Sequence, residues 1–309
     1  MGESLASGIG ESGHRFRVLS VAGVLVLSAT EARVSAAPGW QAGIRLGFAR
    51  AGERTVLSER RHQGPLMVQR PFYPEGPGVC HVCLLHPPGG LVGGDQLTTQ
   101  VTVGARAHAL ITTPAAGKCY RSGGESVVQA QSFHIESGAS LEWLPQETIV
   151  YGAAKWVAPT EVVLADDGRF AGWEILCLGR PAAGDDFATG HCSLSMKLLR
   201  NGKPLFLERA AYDGGYPIMR EPWGLAGHSV VASFVLTGNY PGLDQQLTDA
   251  LPEPDGSALW AVTQLPEVLV VRYRGNSAAQ ARELLKMAWS VLRPVAVGRA
   301  ACAPRIWNS

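Results

Sequence analysis

The sequence predicts a mainly β protein of stacked, twisted sheets, a β-helix-like sandwich with a C-terminal pair of α-helices. Three observations carry that reading. From Trp40 onward, apolar residues alternate with polar or small ones in short runs separated by Gly, Pro and Asp, the pattern of half-buried strands. Turn formers are abundant, with 37 Gly and 20 Pro. One stretch also repeats. Val101-x-Val103, a Gly-Ala turn, Ala107-x-Ala109-x-Ile111 and Pro114 return as Phe133-x-Ile135, Ser137-Gly138, Ala139-x-Leu141-x-Trp143 and Pro145, Phe133 following Val101 by 32 residues. Two such hairpins fit either chance repetition of turn chemistry or layers of a stacked β-helix.

Taken in order, the first strand holds Trp40, Ala42, Ile44, Leu46 and Phe48 on one face. A strand-like segment through Cys80-His81-Val82-Cys83 ends in His86 within LLHPPGGLVGGD, Leu84 to Asp95, and strand character resumes at Leu97. Beyond the repeat, alternation marks strands at 160–165, 170–178, 194–200, 204–212, 228–237, 258–265 and 268–273. A helix over 243–250 sets Leu243, Leu247 and Leu251 on one side, and 251–257 is a loop. The second helix opens at Ser277, an N-cap that Gln280 completes as a capping box. Ala281, Leu284, Leu285, Ala288 and Leu292 keep one face apolar, and Pro294 is expected to stop it. No composition break follows residue 38, so residues 39–309 read as one domain.

Residues 1–38 read as an extension. Arg15 and Arg17 precede an apolar run from Val18 to Leu27, and Val34-Ser35-Ala36 looks like a cleavage site. That is the layout of a secretory signal peptide; the alternative is a poorly packed or non-native tail. The run is too short to span a bilayer.

Charged residues make up 17% and the net charge is +1. Scattered Lys and Arg argue against nucleic acid, which would show as a basic stripe. Low charge suggests apolar surface covered by partners. Six cysteines at irregular spacing in a long chain read as free buried thiols, not a disulfide framework.

The Leu84–Asp95 run is the most specific local feature. Pro87, Pro88, Gly89, Gly90, Gly93 and Gly94 dictate a defined backbone path. It is no phosphate loop, because Asp95 follows where Lys-Ser or Lys-Thr is needed, and a strand follows where a dinucleotide fingerprint needs a helix. His86 could ligate a metal or bond the loop backbone. Asp95 could cap neighbouring amides or face a channel. Cys80-His81-Val82-Cys83 is half a zinc motif, but on a strand residues 80 and 83 point to opposite faces, so buried thiols and a satisfied His are the better reading. Glu142, Glu147 and Glu174 lie on or beside apolar strands, where a carboxylate must be paired, protonated or metal-bound. Lys118 and Arg121 are candidate countercharges. No nucleophile elbow, HExxH or protease-like Cys/His spacing occurs, so no positive enzyme signal is present.

LLHPPGGLVGGDQL, then ITTPAAGKCYRS, LEWLPQETIVYG, GWEILCLGRPAAG and the terminal RIWNS, resemble the urease accessory protein UreD family, called UreH in some organisms. The resemblance runs from about Gly39 to Ser309. It implies a non-enzymatic, cytoplasmic assembly factor of stacked β layers with a pair of helices. It also implies direct binding to UreF, association with the GTPase UreG through the complex, docking on apo-urease, and a hetero-oligomer that touches neither membrane nor nucleic acid. The resemblance further implies that no cofactor is held tightly and that Ni²⁺ passes transiently through an internal tunnel, for which Asp95, Glu147 and Glu174 are candidates, with His86 behind them; weak oxygen contacts suit a transient ion. This chain departs from the family pattern at Gly152, where an Asp is common, and at Cys83 and Cys119, where aromatics are usual. Two other readings compete: a secreted β-rich binding module, and a metal-dependent hydrolase built on His86 and Asp95.

Overall fold

The computed structural model describes residues 39–253 and 256–308. The extension 1–38 and its signal-like run lie outside the described residues. The chain opens with β1 (Gln41–Ala51), β2 (Arg54–Gln63), β3 (Met67–Val68) and β4 (Cys80–Leu85). It then coils. One turn contains β5 (Gln96–Val103), β6 (His108–Thr112) and β7 (Gly117–Cys119). The next contains β8 (Val127–Ile135), β9 (Ser140–Leu144) and β10 (Thr148–Val150), and a third β11 (Lys155–Leu164) and β12 (Arg169–Leu178).

Each strand pairs in parallel with its counterpart one turn away: Gln96 faces Val128, His108 faces Ser140 and Gly117 faces Thr148. The repeated stretches are therefore successive turns of a coil, and the expected hairpins are not formed. The reason lies in the corners. Residues 104–107 carry the chain from one sheet to the other, so Val101 and Ile111 belong to different sheets, and parallel partners return only after a full turn. The corners stack as well. Ala107 N–H donates to Gly104 O at 3.0 Å, Ala139 N–H to Glu136 O at 3.1 Å, and Glu136 N–H to Val103 O at 2.9 Å. A third corner follows, where Gly168 N–H donates to Ala165 O at 3.1 Å.

β12 breaks the pattern. It pairs with β9 over Arg169–Gly172 and with β10 over Leu176–Leu178, covering two faces without a corner. The sheets then diverge. The first grows by β13 (His191–Arg200), parallel to β11, and β14 (Lys203–Asp213). A one-turn helix α1 (Pro217–Arg220) leads to β15 (Val230–Thr237), α2 (Leu243–Ala250), β16 (Leu259–Leu265) and β17 (Val268–Gly275). These three strands extend the second sheet in antiparallel order β12-β15-β17-β16.

The period-two pattern builds two cores. Between the sheets lie Phe48, Val101, Phe133, Val162, Ile111, Leu141 and Phe170; Phe133 stacks 5.0 Å from Trp143 and 6.1 Å from Phe170. On the outer face of the second sheet, Trp173, Ile175, Phe234 and Val271 meet Leu285, Trp289 and Leu292 of α3 (Ala278–Val297). Ser277 Oγ caps α3 by accepting from Gln280 N–H at 3.2 Å. The Gln280 side chain takes the Tyr273 hydroxyl at 3.4 Å. The helix does not stop at Pro294, as expected, but continues to Val297 and ends at Gly298, φ 69°. Proline so near the end removes a single helical bond, Ala296 beyond it is buried, and Gly298 N–H closes the last turn on Pro294 O at 3.0 Å. The C-terminal 3₁₀ segment Arg305–Asn308 brings Trp307 within 5.3 Å of Trp173 and 5.7 Å of Trp289. No helix among the described residues is long and apolar enough to cross a membrane.

Candidate functional site

The Pro/Gly loop is a layer of the coil. Leu91 N–H donates to Lys118 O at 2.7 Å and Tyr120 N–H to Leu91 O at 2.9 Å, so the loop lies on the segment after β7. Gly90 is required by contact: a Cβ there would stand 2.2 Å from the Tyr120 ring. Gly94 is required by conformation, with φ 91°. Asp95 is buried, and its carboxylate accepts from Trp40 N–H at 3.0 Å and Val92 N–H at 2.9 Å. It caps the turn and ties β1 to the loop. His86 is half-buried; burial lowers its pKa, and the nearby Asp95 charge acts the other way.

The three carboxylates singled out from the sequence meet different fates. Glu142 is fully buried and paired. Arg293 donates to it from Nε at 3.0 and 3.1 Å and from Nη2 at 2.9 Å, Trp289 Nε1–H donates at 2.6 Å, and His108 Nε2 lies 2.7 Å away. Burial alone would raise its pKa. The hydrogen bond and charge of His108, then Arg293, outweigh burial and bring the carboxyl down to about 2. Glu75 joins this network through Arg293 Nη2 at 2.8 Å and His81 Nε2 at 2.6 Å, so a carboxylate takes one ring nitrogen of the half-motif's His81, while its buried Nδ1 has no hydrogen-bond partner and the expected satisfied histidine is only half met. Glu147 is half-buried and pairs with Arg282 Nη1 at 3.0 Å. The countercharges thus come from α3, not from Lys118 or Arg121. They lie far along the chain, and only the packing of α3 on the second sheet brings them near.

Glu174 has no such partner. Alternation along β12 turns Phe170, Glu174, Leu176 and Leu178 toward the space between the sheets. Burial is the one influence on its proton and pushes the carboxyl up to about 7. It stands in the walls of two cavities. The outer one, about 360 Å³, is lined by Thr160, Met196, Glu208, Ser233 and Arg272 among others. The inner one, about 150 Å³, is lined by His86, Lys118, Gln129, Gln131 and Trp143. The structure therefore gathers Glu174 and His86 around one cavity, while Asp95 and Glu147 lie outside both linings.

Strand register joins these residues into a largely polar file, interrupted by Met196, across an otherwise apolar interior. In the first sheet Thr99 faces Gln131, Gln131 faces Thr160, Thr160 faces Met196 and Met196 faces Glu208. Opposite, Glu174 faces Ser233 and Ser233 faces Arg272. Sequence reading missed Gln131, Thr160 and Glu208. Their signal was a polar residue in an inward slot, legible only once the register between turns is known.

Burial raises the Cys83 thiol to about 11; burial, with the Asp95 charge, raises Cys119 to about 12. Both stay protonated at neutral pH and are poor metal ligands in that form. All six cysteines are free. At Gly152 an added Cβ would stand 2.5 Å from Asp185 Oδ1, and Asp185 accepts from Gly152 N–H at 2.9 Å. An acid therefore occupies that position from another segment. Among the described residues no three His, Cys, Asp or Glu side chains gather closely enough to hold a metal ion.

Comparison with known sequences gives one consistent result. A family described as UreD urease accessory protein matches residues 41–308. The chain is 46% identical over 275 residues to the urease accessory protein UreD of Dechloromonas aromatica (strain RCB), covering 88% of this chain and 96% of that one. It is 47% identical over 276 residues to that of Azoarcus sp. (strain BH72), covering 89% and 96%. To that of Alkalilimnicola ehrlichii it is 45% identical over 273 residues, covering 88% and 92%.

Proposed function

The chain belongs to the UreD urease accessory protein family, and from that premise we propose that it is a scaffold and nickel conduit that carries Ni²⁺ between its two sheets during urease maturation. The relatives' names fit a non-enzymatic assembly factor, and they lend nothing to the secreted-module or hydrolase readings. One observation carries the conduit reading: Glu174, an unpaired interior carboxylate, is shared by the inner and outer cavities. The polar file through Gln131, Thr160 and Ser233 offers oxygen donors one at a time along that path. Isolated carboxylate, hydroxyl and amide oxygens contact a borderline ion such as Ni²⁺ without trapping it. Protonated Glu174 must release its proton to accept the ion, so transit is coupled to proton release. His86 and Lys118 border the inner end. Asp95 and Glu147 act as supports of the walls rather than as contacts for the ion.

In this reading the chain binds UreF directly, meets the GTPase UreG through the complex, and docks on apo-urease in the cytoplasm. GTP hydrolysis belongs to the partner, and the Leu84–Asp95 loop is a structural layer. The test is urease activation with purified components. Glu174→Gln should lower the nickel content of urease while the complex still assembles. Asp95→Ala and Glu147→Ala should act through stability, lowering melting temperature and complex yield together. Full nickel loading with Glu174→Gln would sink the conduit.

A further inference from the structure

Residues of β14 and β17 line the outer cavity, and an ion pair bridges the two sheets there. Arg272 donates from Nη2 at 2.7 Å and from Nε at 3.2 Å, both to Oε1 of Glu208. Both residues belong to the polar file: Glu208 faces Met196 at one end, and Arg272 lies beside Ser233, itself beside Glu174. Both line the outer cavity. The neighbouring Arg274 is held differently, with its guanidinium fixed on the carbonyls of Pro222 and Gly224. Arg272 has no such backbone anchor; its side chain is 47% exposed and that of Glu208 28%. Exposed pairs of this kind are weak and exchange readily, in contrast to the buried Arg293–Glu142 pair.

We propose that Arg272 is a resident cation at the mouth of the passage: it occupies Glu208 in the resting protein, and an incoming divalent cation takes its place there before moving past Ser233 to Glu174. The proposal rests on the conduit reading. Its physical basis is competition for one carboxylate. A guanidinium at the opening repels an approaching divalent ion unless it is neutralised or displaced, and Glu208 can serve one cation at a time at Oε1. A long, half-exposed side chain can swing into solvent when displaced, which leaves two acidic stations, Glu208 and Glu174, on one path.

The experiment uses the full chain, first with Mn²⁺ as a paramagnetic probe and then in the nickel-transfer assay with UreF, UreG and apo-urease. In wild type, Mn²⁺ should broaden the methyl signals of Met196 and Val231, which line the outer cavity. Arg272→Gln should produce the same broadening at about fivefold lower Mn²⁺, the factor an exposed pair is worth, and should lower the Ni²⁺ needed for half-maximal loading of urease. Glu208→Gln should abolish the selective broadening and slow loading. The pair is exposed, so both variants should melt like wild type. If Arg272→Gln matches wild type in either readout, or Glu208→Gln keeps the broadening, the displacement mechanism is wrong. Should Glu174→Gln still block loading in that case, the conduit survives and only the role of Arg272 falls. A silent Glu174→Gln removes both.

Discussion

Two carboxylates on neighbouring strands, Glu142 fully buried and Glu174 half-buried, respond oppositely to their surroundings. Glu174 has burial and no partner, so its pKa rises from the ordinary 4.5 to about 7. The folded chain keeps a proton that the unfolded chain releases above 4.5. Stability is therefore greatest below that pH and falls as pH rises toward 7. Glu174→Gln should remove this loss. Urea melts should then show the variant gaining roughly 1–3 kcal/mol over wild type between pH 5 and pH 8; a gap independent of pH would contradict the assignment. Glu142 has the reverse sign. Its carboxyl is held at about 2, so its contribution is present above the ordinary value and is lost as pH falls toward 2. Arg293→Ala leaves Glu142 and Glu75 buried without their cation and should cost roughly 3–5 kcal/mol at neutral pH. The same variant should grow relatively more stable as the medium is acidified, which a pH series of melts would detect.

At the level of elements, the Pro/Gly loop behaves as a fixed layer. Gly90→Ala would drive a methyl group into Tyr120 and should cost roughly 1–3 kcal/mol in a thermal or urea melt. An unchanged midpoint would mean the loop yields freely. Much of this level was legible beforehand. Alternation located β11 to β17 within a few residues, an apolar stripe located α2, and capping plus an apolar stripe located α3. Other elements were not legible, for stated reasons. β2 is an edge strand, largely exposed and rich in arginine, so it lacks the alternation of a half-buried strand. β7 and β10 are three residues long, too short to carry a period. The hairpin reading failed because period two fixes which face a side chain takes but not which strand lies beside it. For the same reason the site was half-read. Glu174 could be found as a carboxylate on an apolar strand, but its companions Thr160 and Glu208 reach the same cavity only through register.

Across the whole molecule, the helices cover one face of the second sheet and the coil interior is closed between the sheets, so protection from solvent should be graded. Amide exchange is expected to be slowest in β8 and β9, which have strand neighbours on both sides, and fastest along the edge strands β2, β14 and β16. Uniform protection would argue that the two ends of the sheets are covered in solution. β12 decides where that gradient begins. The two turns before it bend at Pro114 and Pro145 to add a short third side, and a chain that kept bending would roof its interior with another layer. β12 runs straight past that corner, β13 adds one last parallel strand on β11, and β14 then turns back antiparallel, which ends the winding and lets the sheets part. The opening is thus a property of where the coiling stops, owed to one missing bend rather than to any specialised side chain. Lengthening the coil by a single turn would lay another layer of strands over the outer cavity and close it.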